Sequence, residues 1–367
     1  MALPAYSLSA DIDEGFQRPS RFGQAPLAYR AAAKVVGEEV EPGASKVGVV
    51  AIGRNEGQRL DKCLKSVIQR AALVVYVDSG STDGSAPMAR SSGSEVVELD
   101  TLIPFTAARA RNEGFERMRQ VAPDLPYVHF VDADCEVVAG WIETAAAFLD
   151  AHLDVAVVCG RRRERYPTRS IYNNLCNIEW DTPVGETKAC GGDALMRVDA
   201  FEQVGGYRAH LIAGEEPELC VRLRAAGWRV WRLDAEMTFH DAAMTRFSQW
   251  WSRTLRNGYG FAQGAYLHGA STERHSVWKS LRAWLWGVFL PLGCLLSGLT
   301  FGTWGWAAWL IYPFQILRQT VRNSGPLRQR ALLALFQLLA RFPESWGQIK
   351  FVRDLMLRRQ ARLIEYK

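Results

Sequence analysis

Short apolar runs that alternate with stretches of helical periodicity restrict the fold of this chain more than any other feature. The runs are residues 47–52, 73–77, 127–131 and 155–159, and segments with a helical pattern separate them. Continuous apolar strands separated by helices are typical of a buried parallel sheet whose faces are covered by helices. The pattern therefore predicts an α/β fold with a Rossmann-like, mostly parallel sheet flanked by helices.

Acidic residues follow three of these runs. Glu56 lies in the turn after the first run, Asp78 ends the second, and Asp132 and Asp134 follow the third. Because ligands of open parallel sheets bind at the carboxyl ends of the strands, these side chains are predicted to meet at one edge. The GxGxxG fingerprint after the first strand and the Walker A pattern are both absent, which removes the main support for hydride transfer and ATP hydrolysis.

The triplet Asp132-Ala-Asp134 places two carboxylates on one side of an extended backbone. Carboxylate pairs of this kind hold a hard divalent cation that also binds phosphate oxygens. Such a cation stabilises a departing diphosphate. A DxD triplet also occurs by chance in polar turns, but its position directly after a strand favours a metal site.

Residues 214–227 predict a helix with acidic residues at its start. Pro217 suits the first helical position and Gly227 the C-terminal cap. Glu215 and Glu216 then lie at the helix N-terminus, where the helix dipole is expected to keep a carboxylate ionised. An ionised carboxylate beside a substrate hydroxyl can act as a general base. The alternative is an acidic cap without a catalytic role.

Six motifs within residues 46–260 resemble those of glycosyltransferase family 2 in their order and approximate spacing. They are VVAIGRNE (49–56), VDSGSTDG (77–84), FVDAD (130–134), GGDALMR (191–197), VGGY (204–207) and GEEPEL (214–219). The resemblance implies a GT-A fold, a nucleotide-sugar donor such as a UDP- or GDP-sugar, a Mg²⁺ or Mn²⁺ ion, and inversion at the anomeric carbon.

The resemblance also implies roles for individual residues. In such enzymes the residues that match Glu56 and Asp78 contact the nucleoside. The residue that matches Asp134 binds the metal, and the one that matches Asp132 contacts ribose or metal. The family usually has Glu-Asp where this chain has two glutamates, so Glu216 takes the place of the catalytic base with one additional methylene.

Further candidates come from the same resemblance. His240 follows the strand-like segment 229–239, where many GT-A enzymes supply a third metal or phosphate ligand; the alternative is a core histidine. Gly192 and Asp193 resemble the acceptor-side loop and are expected to bind substrate. Arg111, with Arg109, lies in a helix start that resembles the donor-side Ala-Arg-Asn-x-Gly element; it is expected to contact phosphates, or else to be solvated.

Two other segments leave alternatives open. The run 161–165 is either a solvated group of charges or a binding site for a lipid diphosphate. Gln249-Trp-Trp251 resembles the QxxRW motif of processive synthases only loosely, because the Arg-Trp pair is missing. This difference favours transfer of one sugar over polymerisation.

The segment 283–317 contains no Asp, Glu, Lys or Arg. A membrane-spanning helix needs about 20 residues, so this run is too long for one span and slightly short for two. Gly302 and Gly305 are a plausible turn, and basic residues flank both ends. Because positive residues mark the cytoplasmic side, the segment is predicted to enter the membrane and return. The alternative is a buried helical hairpin in a soluble domain.

These features predict three regions and a location. The regions are a lead-in segment (1–45), a GT-A domain (46–270) and a membrane-associated helical region (271–367) with basic amphipathic helices at its end. The seven cysteines form no CxxC pair, which favours buried thiols in a reducing compartment. We expect the protein at the inner membrane with its catalytic domain in the cytoplasm.

The expected reaction is transfer of a single sugar to a hydroxyl of a lipid-linked or other glycan acceptor, in exopolysaccharide or cell-envelope synthesis. Two alternatives remain open: a polyprenyl-phosphate glycosyltransferase and a catalytically silent membrane scaffold that binds nucleotide. Nucleic acid is not an expected partner, because no aromatic-basic recognition module accompanies the net charge of +5.

Overall fold

The computed structural model describes residues 45–359, and its centre is one mixed sheet. The strands are β1 (Val47–Gly53), β2 (Leu73–Asp78), β3 (Glu95–Glu98), β4 (Tyr127–Asp132), β5 (Cys135–Val137), β6 (Val155–Glu164), β7 (Gly185–Glu186), β8 (Ala194–Arg197) and β9 (Arg229–His240). Their order is β3-β2-β1-β4-β8-β6-β9-β5, and β7 also pairs with β9. Strands β5, β7 and β8 run opposite to the other described strands.

Helices cover the sheet and then form a separate C-terminal group. They are α1 (Gln58–Val67), α2 (Ser85–Ser91), α3 (Ala107–Val121), α4 (Trp141–Ala151), α5 (Ile171–Glu179), α6 (Val198–Gln203), α7 (Glu215–Ala225), α8 (Phe247–His268), α9 (Val277–Trp284), α10 (Leu290–Phe301), α11 (Ile311–Arg322), α12 (Leu327–Leu339) and α13 (Arg341–Met356). A π-helical turn (Leu285–Phe289) joins α9 to α10, and a 3-10 helix (Gly302–Leu310) joins α10 to α11.

The register of the sheet aligns the carboxyl ends of three strands. Gly53 pairs with Asp78, and Ile52 pairs with Asp132, so β1, β2 and β4 end at one edge. The strands themselves are almost completely buried, as their continuous apolar sequences require. The predicted α/β sheet is therefore confirmed, and it places the acidic residues at one edge.

Strand β6 is longer than the sequence pattern indicates. The apolar run stops at Cys159, but the strand continues to Glu164 beside β9. Strand β8 lies antiparallel between β4 and β6, so its amino end and the loop before it reach the same edge as the acidic residues. Helix α7 begins at Glu215, two residues before Pro217, and Gly227 follows it with a φ of 92°, as a C-terminal glycine should.

The apolar C-terminal segment folds as a helical hairpin with its turn at Gly302, where φ is 60°. The hydroxyl of Tyr312 in the returning arm donates a hydrogen bond to the carbonyl oxygen of Trp286 in the outgoing arm at 2.8 Å. A Cβ on Gly298 would collide with the indole of Trp306, so the absence of a side chain lets the arms approach closely. The chain thus reverses direction at Gly302, where the sequence places a plausible turn.

The surface of this hairpin is apolar. Residues Val277–Arg322 have the length and hydropathy of a membrane segment, and only 11% of their most apolar window is buried. The continuous helix from Val277 to Phe301 is about 37 Å long, which exceeds the roughly 30 Å of a bilayer's hydrocarbon core. A buried core hairpin would show the opposite pattern of exposure, so the segment fits a membrane anchor.

Helix α13 attaches the C-terminal group to the sheet domain by packing on α8. Two glycines allow the approach: a Cβ on Gly258 would collide with the backbone of Glu344, and a Cβ on Gly347 would collide with the carbonyl oxygen of Leu255. The proposed lead-in segment lies outside the described residues apart from Ser45.

Candidate functional site

The turn after β2 is organised by Asp78, which is 3% exposed. One carboxylate oxygen accepts a hydrogen bond from the hydroxyl of Tyr76 at 3.0 Å. The other accepts hydrogen bonds from the backbone N–H groups of Gly80 and Ser81 at 3.0 and 2.8 Å. Asp78 therefore shapes the turn to which the sequence assigns nucleoside binding.

The turn after β1 is joined to it. Asn55 has a φ of 55°, and its side-chain oxygen accepts a hydrogen bond from the backbone N–H of Thr82 at 2.8 Å. The next residue, Glu56, forms an ion pair of 2.6 Å with Arg59 in the first turn of α1. The two turns thus form one continuous rim at the edge of β1 and β2.

Asp132 lies between the buried Arg111 and the partly buried Arg162. Its Oδ1 is 2.8 Å from Nη2 of Arg111 on α3, and its Oδ2 is 3.1 Å from Nη2 of Arg162 on β6. A Cβ on Gly192 would lie 3.0 Å from Oδ2 of Asp132. A side chain at position 192 would therefore crowd the Asp132 carboxylate. The carboxylate is held in place, and its negative charge is already balanced.

Arg111 connects this carboxylate to the start of α7. Its Nη1 donates to Oε1 of Glu215 at 2.8 Å, and its guanidinium lies over the ring of Tyr207. Burial disfavours the charged form, but Asp132 and Glu215 outweigh it and raise the pKa of Arg111 above its usual value. Arg111 is thus a buried permanent cation between two predicted site residues, and the alternative of a solvated arginine is wrong.

Asp193 is completely buried. Its Oδ1 accepts a hydrogen bond from the backbone N–H of Asp132 at 3.1 Å, and its Oδ2 accepts one from the hydroxyl of Thr238 at 2.8 Å. Nε of Arg162 lies 3.4 Å from the same Oδ2. In this structure the carboxylate is inaccessible to a substrate, in contrast to the expected acceptor contact, and it orients the loop and Arg162 instead.

A second group of side chains lies on the other side of the Asp132–Asp134 turn. Oδ2 of Asp134 is 3.3 Å from Nε2 of His240, which ends β9. One ligand atom from each of Asp134, Cys135 and His240 lies within 4.8 Å of the others. The sequence named Asp134 and His240 as metal ligands, and the structure brings these two together.

The surroundings of His240 suit a metal ligand. Its buried Nδ1 has no hydrogen-bond partner among the described residues, but lies 3.9 Å from Oε2 of Glu164. Burial and the nearby charge of Arg162 lower the pKa of His240, so the imidazole is neutral at pH 7. A neutral histidine next to a carboxylate is the form in which histidine coordinates metals.

The remaining groups limit which ion fits. Burial raises the pKa of the Cys135 thiol well above its usual value, so a thiolate is disfavoured. A carboxylate with an imidazole suits Mn²⁺ or Mg²⁺ better than an ion that requires thiolates. Asp132, Cys135 and Asp193 also lie close together, but Arg111 and Arg162 repel a cation there.

The two glutamates at the start of α7 differ in their contacts. Glu215 is paired with Arg111, whereas Glu216 has no ion pair among the described residues and lies near the backbone of Gly191. Burial, together with the negative charge of Glu215, raises the pKa of Glu216 to about 8. The expectation that the helix dipole keeps Glu216 ionised is therefore wrong, because desolvation outweighs the dipole.

Glu218 holds α7 in position. It is 1% exposed and its carboxylate contacts Arg208, Arg222 and His268 at 2.7–2.9 Å. Arg222 also donates to the carbonyl oxygen of Gly206, so the VGGY loop is attached to the helix. This network keeps the start of α7 at a defined distance from the sheet edge.

A cavity of about 480 Å³ opens beside the histidine end of β9. Its lining is cationic in excess, with a single acidic residue. The lining residues are Gln58, Arg59, Lys62, Tyr166, Thr168, Arg169 and Asp241. The backbone N–H of Asp241 donates to the carbonyl oxygen of Asp134 at 3.3 Å, so the cavity adjoins the candidate metal ligands. Its charge and size suit a phosphate-bearing group.

The position of Arg162 in the site is not evident from the sequence. The run 161–165 is not a uniformly solvated group of charges: Arg161 pairs with Asp181 and Arg165 with Glu136, whereas the pair of Arg163 with Glu236 is exposed. Arg162 alone reaches the site, where its guanidinium lies 4.9 Å from the ring centroid of Trp180. Irregular pairing of β6 near Cys159 and Arg161 interrupts the period of two, so strand alternation gives no signal that separates Arg162 from the others.

Comparisons with known proteins identify relatives of this chain. Residues 49–205 match the family model described as Glycosyl transferase family 2. The glycosyltransferase AglE of Haloferax volcanii is 23% identical over 322 residues, which cover 83% of this chain and 96% of the relative. The succinoglycan biosynthesis protein ExoA of Rhizobium meliloti is 26% identical over 304 residues, which cover 79% and 89%.

A solved structure supports the fold. The mannosyltransferase PcManGT of Pyrobaculum calidifontis, solved in complex with GDP-Man and Mn²⁺, is 18% identical and superposes with a TM-score of 0.57. The match covers 89% of this chain and 94% of that chain. Residues 49–205 therefore form a glycosyltransferase family 2 domain, and the chain has the fold of a solved mannosyltransferase, a GT-A fold.

Proposed function

We propose that this family 2 glycosyltransferase transfers a single sugar, with inversion, from a nucleotide-sugar to a hydroxyl of a lipid-linked glycan at the membrane surface. The observation that carries the proposal is the arrangement of three groups along one sheet edge: the Asp78 turn, the Asp134–His240 pair and Glu216. The Asp78 turn suits the nucleoside of the donor, and the Asp134–His240 pair suits its diphosphate. Glu216 suits an acceptor hydroxyl that must lose a proton.

The nucleoside of the donor would bind at the joined turns after β1 and β2. Glu56 and Asp78 lie there, and Asp78 organises its turn by accepting hydrogen bonds from the backbone N–H groups of Gly80 and Ser81. Asp132, held between Arg111 and Arg162, would orient the ribose or the transferred sugar rather than a metal. Gly192 would allow the sugar to approach the backbone.

The diphosphate would lie near Asp134 and His240, which would hold a divalent cation. Bound Mn²⁺ or Mg²⁺ would neutralise the charge that develops on the leaving nucleoside diphosphate. Arg59, Lys62 and Arg169 line the adjoining cavity and would contribute positive charge to the same group. The solved mannosyltransferase carries GDP-Man and Mn²⁺, which supports this type of donor and ion.

Glu216 would accept the proton of the attacking hydroxyl. The acceptor oxygen forms a bond to the anomeric carbon as the bond from that carbon to the phosphate oxygen breaks, and the electron pair leaves with the nucleoside diphosphate. A carboxylate with a pKa near 8 is a stronger base than an ordinary glutamate. The pairing of Glu215 with Arg111 makes Glu215 the weaker candidate.

The hairpin at Gly302 would anchor the enzyme at the inner membrane, with the catalytic domain in the cytoplasm. Its surface is apolar, and both arms end in basic residues, as cytoplasmic flanks do. The relative ExoA is named for the biosynthesis of succinoglycan, a polysaccharide, which supports a role in exopolysaccharide or envelope glycan synthesis.

A polyprenyl phosphate is the second candidate acceptor. An acceptor phosphate is already ionised, so it would not need Glu216. The partly buried carboxylate beside the Gly191 loop favours the hydroxyl acceptor.

Release of nucleoside diphosphate tests the proposal. The full-length protein in detergent is incubated with UDP-, GDP- or dTDP-sugars, Mn²⁺ and a lipid extract that supplies the acceptor. We expect one donor class to give nucleoside diphosphate and a labelled lipid together. Absence of transfer with every donor, in a protein that binds none of them, would support the silent scaffold instead.

A further inference from the structure

Glu164, the last residue of β6, is a buried acid without a basic partner. It is 3% exposed. Its Oε1 accepts hydrogen bonds from the backbone N–H of Tyr166 at 3.0 Å and from Nδ2 of Asn173 at 2.9 Å. Its Oε2 accepts one from the backbone N–H of Ala242 at 2.9 Å. No arginine or lysine within residues 45–359 lies within ion-pair distance of Glu164. Because burying a carboxylate without a cation is costly, another group is expected to supply positive charge.

His240 is the residue that faces this carboxylate. Glu164 is opposite His240 in the pairing of β6 with β9, and Nδ1 of the imidazole lies 3.9 Å from Oε2 of Glu164. A carboxylate can accept about four hydrogen bonds, and three donors already contact Glu164. The buried Nδ1 has no partner of its own among the described residues. The carboxylate therefore has one acceptor position left, next to an imidazole nitrogen without a partner.

The other sides of the imidazole are confined as well. Trp180 packs against the ring edge-to-face, with 4.7 Å between the ring centroids and 87° between the planes. Nε2 lies 3.3 Å from Oδ2 of Asp134. His240 is 5% exposed, so water has little access to the ring. The imidazole therefore has Glu164 at one nitrogen and the candidate metal position at the other.

We propose that Glu164 is a positioning residue of the metal site: its Oε2 accepts the Nδ1 proton of His240 and thereby directs Nε2 toward the cation that Asp134 also holds. The inference rests on the proposed function, in which Asp134 and His240 bind the divalent cation of the donor. It deepens that function by assigning a role to a residue outside the ligand set. Glu164 contacts neither the cation nor the donor, and it acts through His240.

Charge and distance favour this role over a purely structural one. Glu164 also holds the turn after β9 through Ala242, but its three N–H donors bring no positive charge to a buried acid. A cation at Nε2 supplies that charge through the imidazole and makes Nδ1–H a stronger donor. The distance between Nδ1 and Oε2 is about 1 Å longer than a hydrogen bond, and such bonds often shorten when the ligand binds.

Titration with Mn²⁺ tests the role of Glu164 without a sugar donor. Isothermal titration of the full-length protein in detergent should give a Mn²⁺ affinity about tenfold lower for E164Q than for wild type, because partners of metal-bound histidines tune affinity. E136Q is the matched control. Glu136 is a nearby acid that pairs with Arg165 instead of His240, so its substitution should change the affinity less than twofold.

A double substitution separates an effect through His240 from general damage to the site. E164Q/H240A should bind Mn²⁺ as weakly as H240A and no more weakly, because the two residues act as one unit. Additive losses would overturn the inference, and so would an unchanged affinity of E164Q beside a reduced affinity of H240A. An unchanged affinity of H240A would contradict the metal site of the proposed function, and the inference with it.

A spectroscopic measurement on the wild-type protein keeps the test valid if E164Q does not fold. The protein is labelled with ¹⁵N-histidine and saturated with Mg²⁺, and the signal of His240 is assigned by its loss in H240A. Its Nδ1 proton should resonate downfield of an imidazole N–H in water, as expected for a hydrogen bond to a carboxylate. The resonance of an imidazole N–H in water would overturn the inference.

Discussion

Oδ2 of Asp134 lies 3.3 Å from Nε2 of His240, although the first residue follows β4 and the second ends β9. The two strands are not neighbours in the sheet, since β8 and β6 lie between them. The contact forms because β5, which follows Asp134, turns back and pairs with the end of β9, so that Cys135 is opposite His240. The fold therefore assembles a carboxylate and an imidazole that are distant in sequence.

Metal binding is the first prediction from this pair. D134A and H240A should each reduce Mn²⁺ affinity by roughly a hundredfold, because each removes one of few protein ligands. Isothermal titration of the full-length protein with Mn²⁺ measures the effect. C135S is the matched control, since its thiol is held protonated by burial and should contribute little. Wild-type affinity in both D134A and H240A would show that the ion binds elsewhere.

The buried carboxylate of Asp193 should be important for stability. D193N keeps the shape but removes the charge next to Arg162 and weakens the contacts with Thr238 and the backbone of Asp132. We expect a loss of about 1–3 kcal/mol, seen as a lower Tm of the protein in detergent. D154N, which changes an exposed ion pair with Arg229, should leave Tm nearly unchanged. Similar Tm values for wild type and D193N would contradict this role.

The hairpin makes a prediction about topology. Tags inserted near Arg274 and placed after Lys367 should both report the cytoplasmic side, because the chain turns at Gly302 and returns. Accessibility of the tags in intact and permeabilised cells measures this. G305V should disturb the hairpin, since a side chain there collides with the carbonyl oxygen of Ser297, whereas G293V meets open space. Tags on opposite sides would require a single crossing.

The sequence predicts the sheet edge well because that edge depends on local patterns. Asp78, Asp132 and Asp134 follow apolar strands, and strand ends in such a fold necessarily meet. Arg162 could not be separated from its neighbours, because irregular pairing near Cys159 and Arg161 interrupts the period of two along β6. The pKa of Glu216 could not be predicted either, since it depends mainly on burial and then on groups such as Arg111, which only the folded chain brings near.

The pH dependence follows from the pKa of Glu216. A base must be unprotonated, and a carboxyl group with a pKa of about 8 is mostly protonated at pH 7. Hence kcat/KM with Mg²⁺ should rise about tenfold between pH 7 and pH 9. E215Q should move this rise to lower pH, because it removes the neighbouring negative charge that raises the pKa. A profile that is flat above pH 6 would contradict the raised pKa.

The turnover number of E216Q tests the central claim most directly. The substitution preserves size and removes the basic oxygen, so kcat should fall about 10²–10⁴-fold, with donor and Mn²⁺ affinity almost unchanged. E215Q should lose less, because Glu215 is already paired with Arg111, and E216D should retain part of the activity. Single-turnover transfer to the lipid acceptor at saturating donor gives these values. A near-normal kcat for E216Q would contradict the account: if E215Q alone loses activity, the base is Glu215, and if neither does, the attacking group is a phosphate.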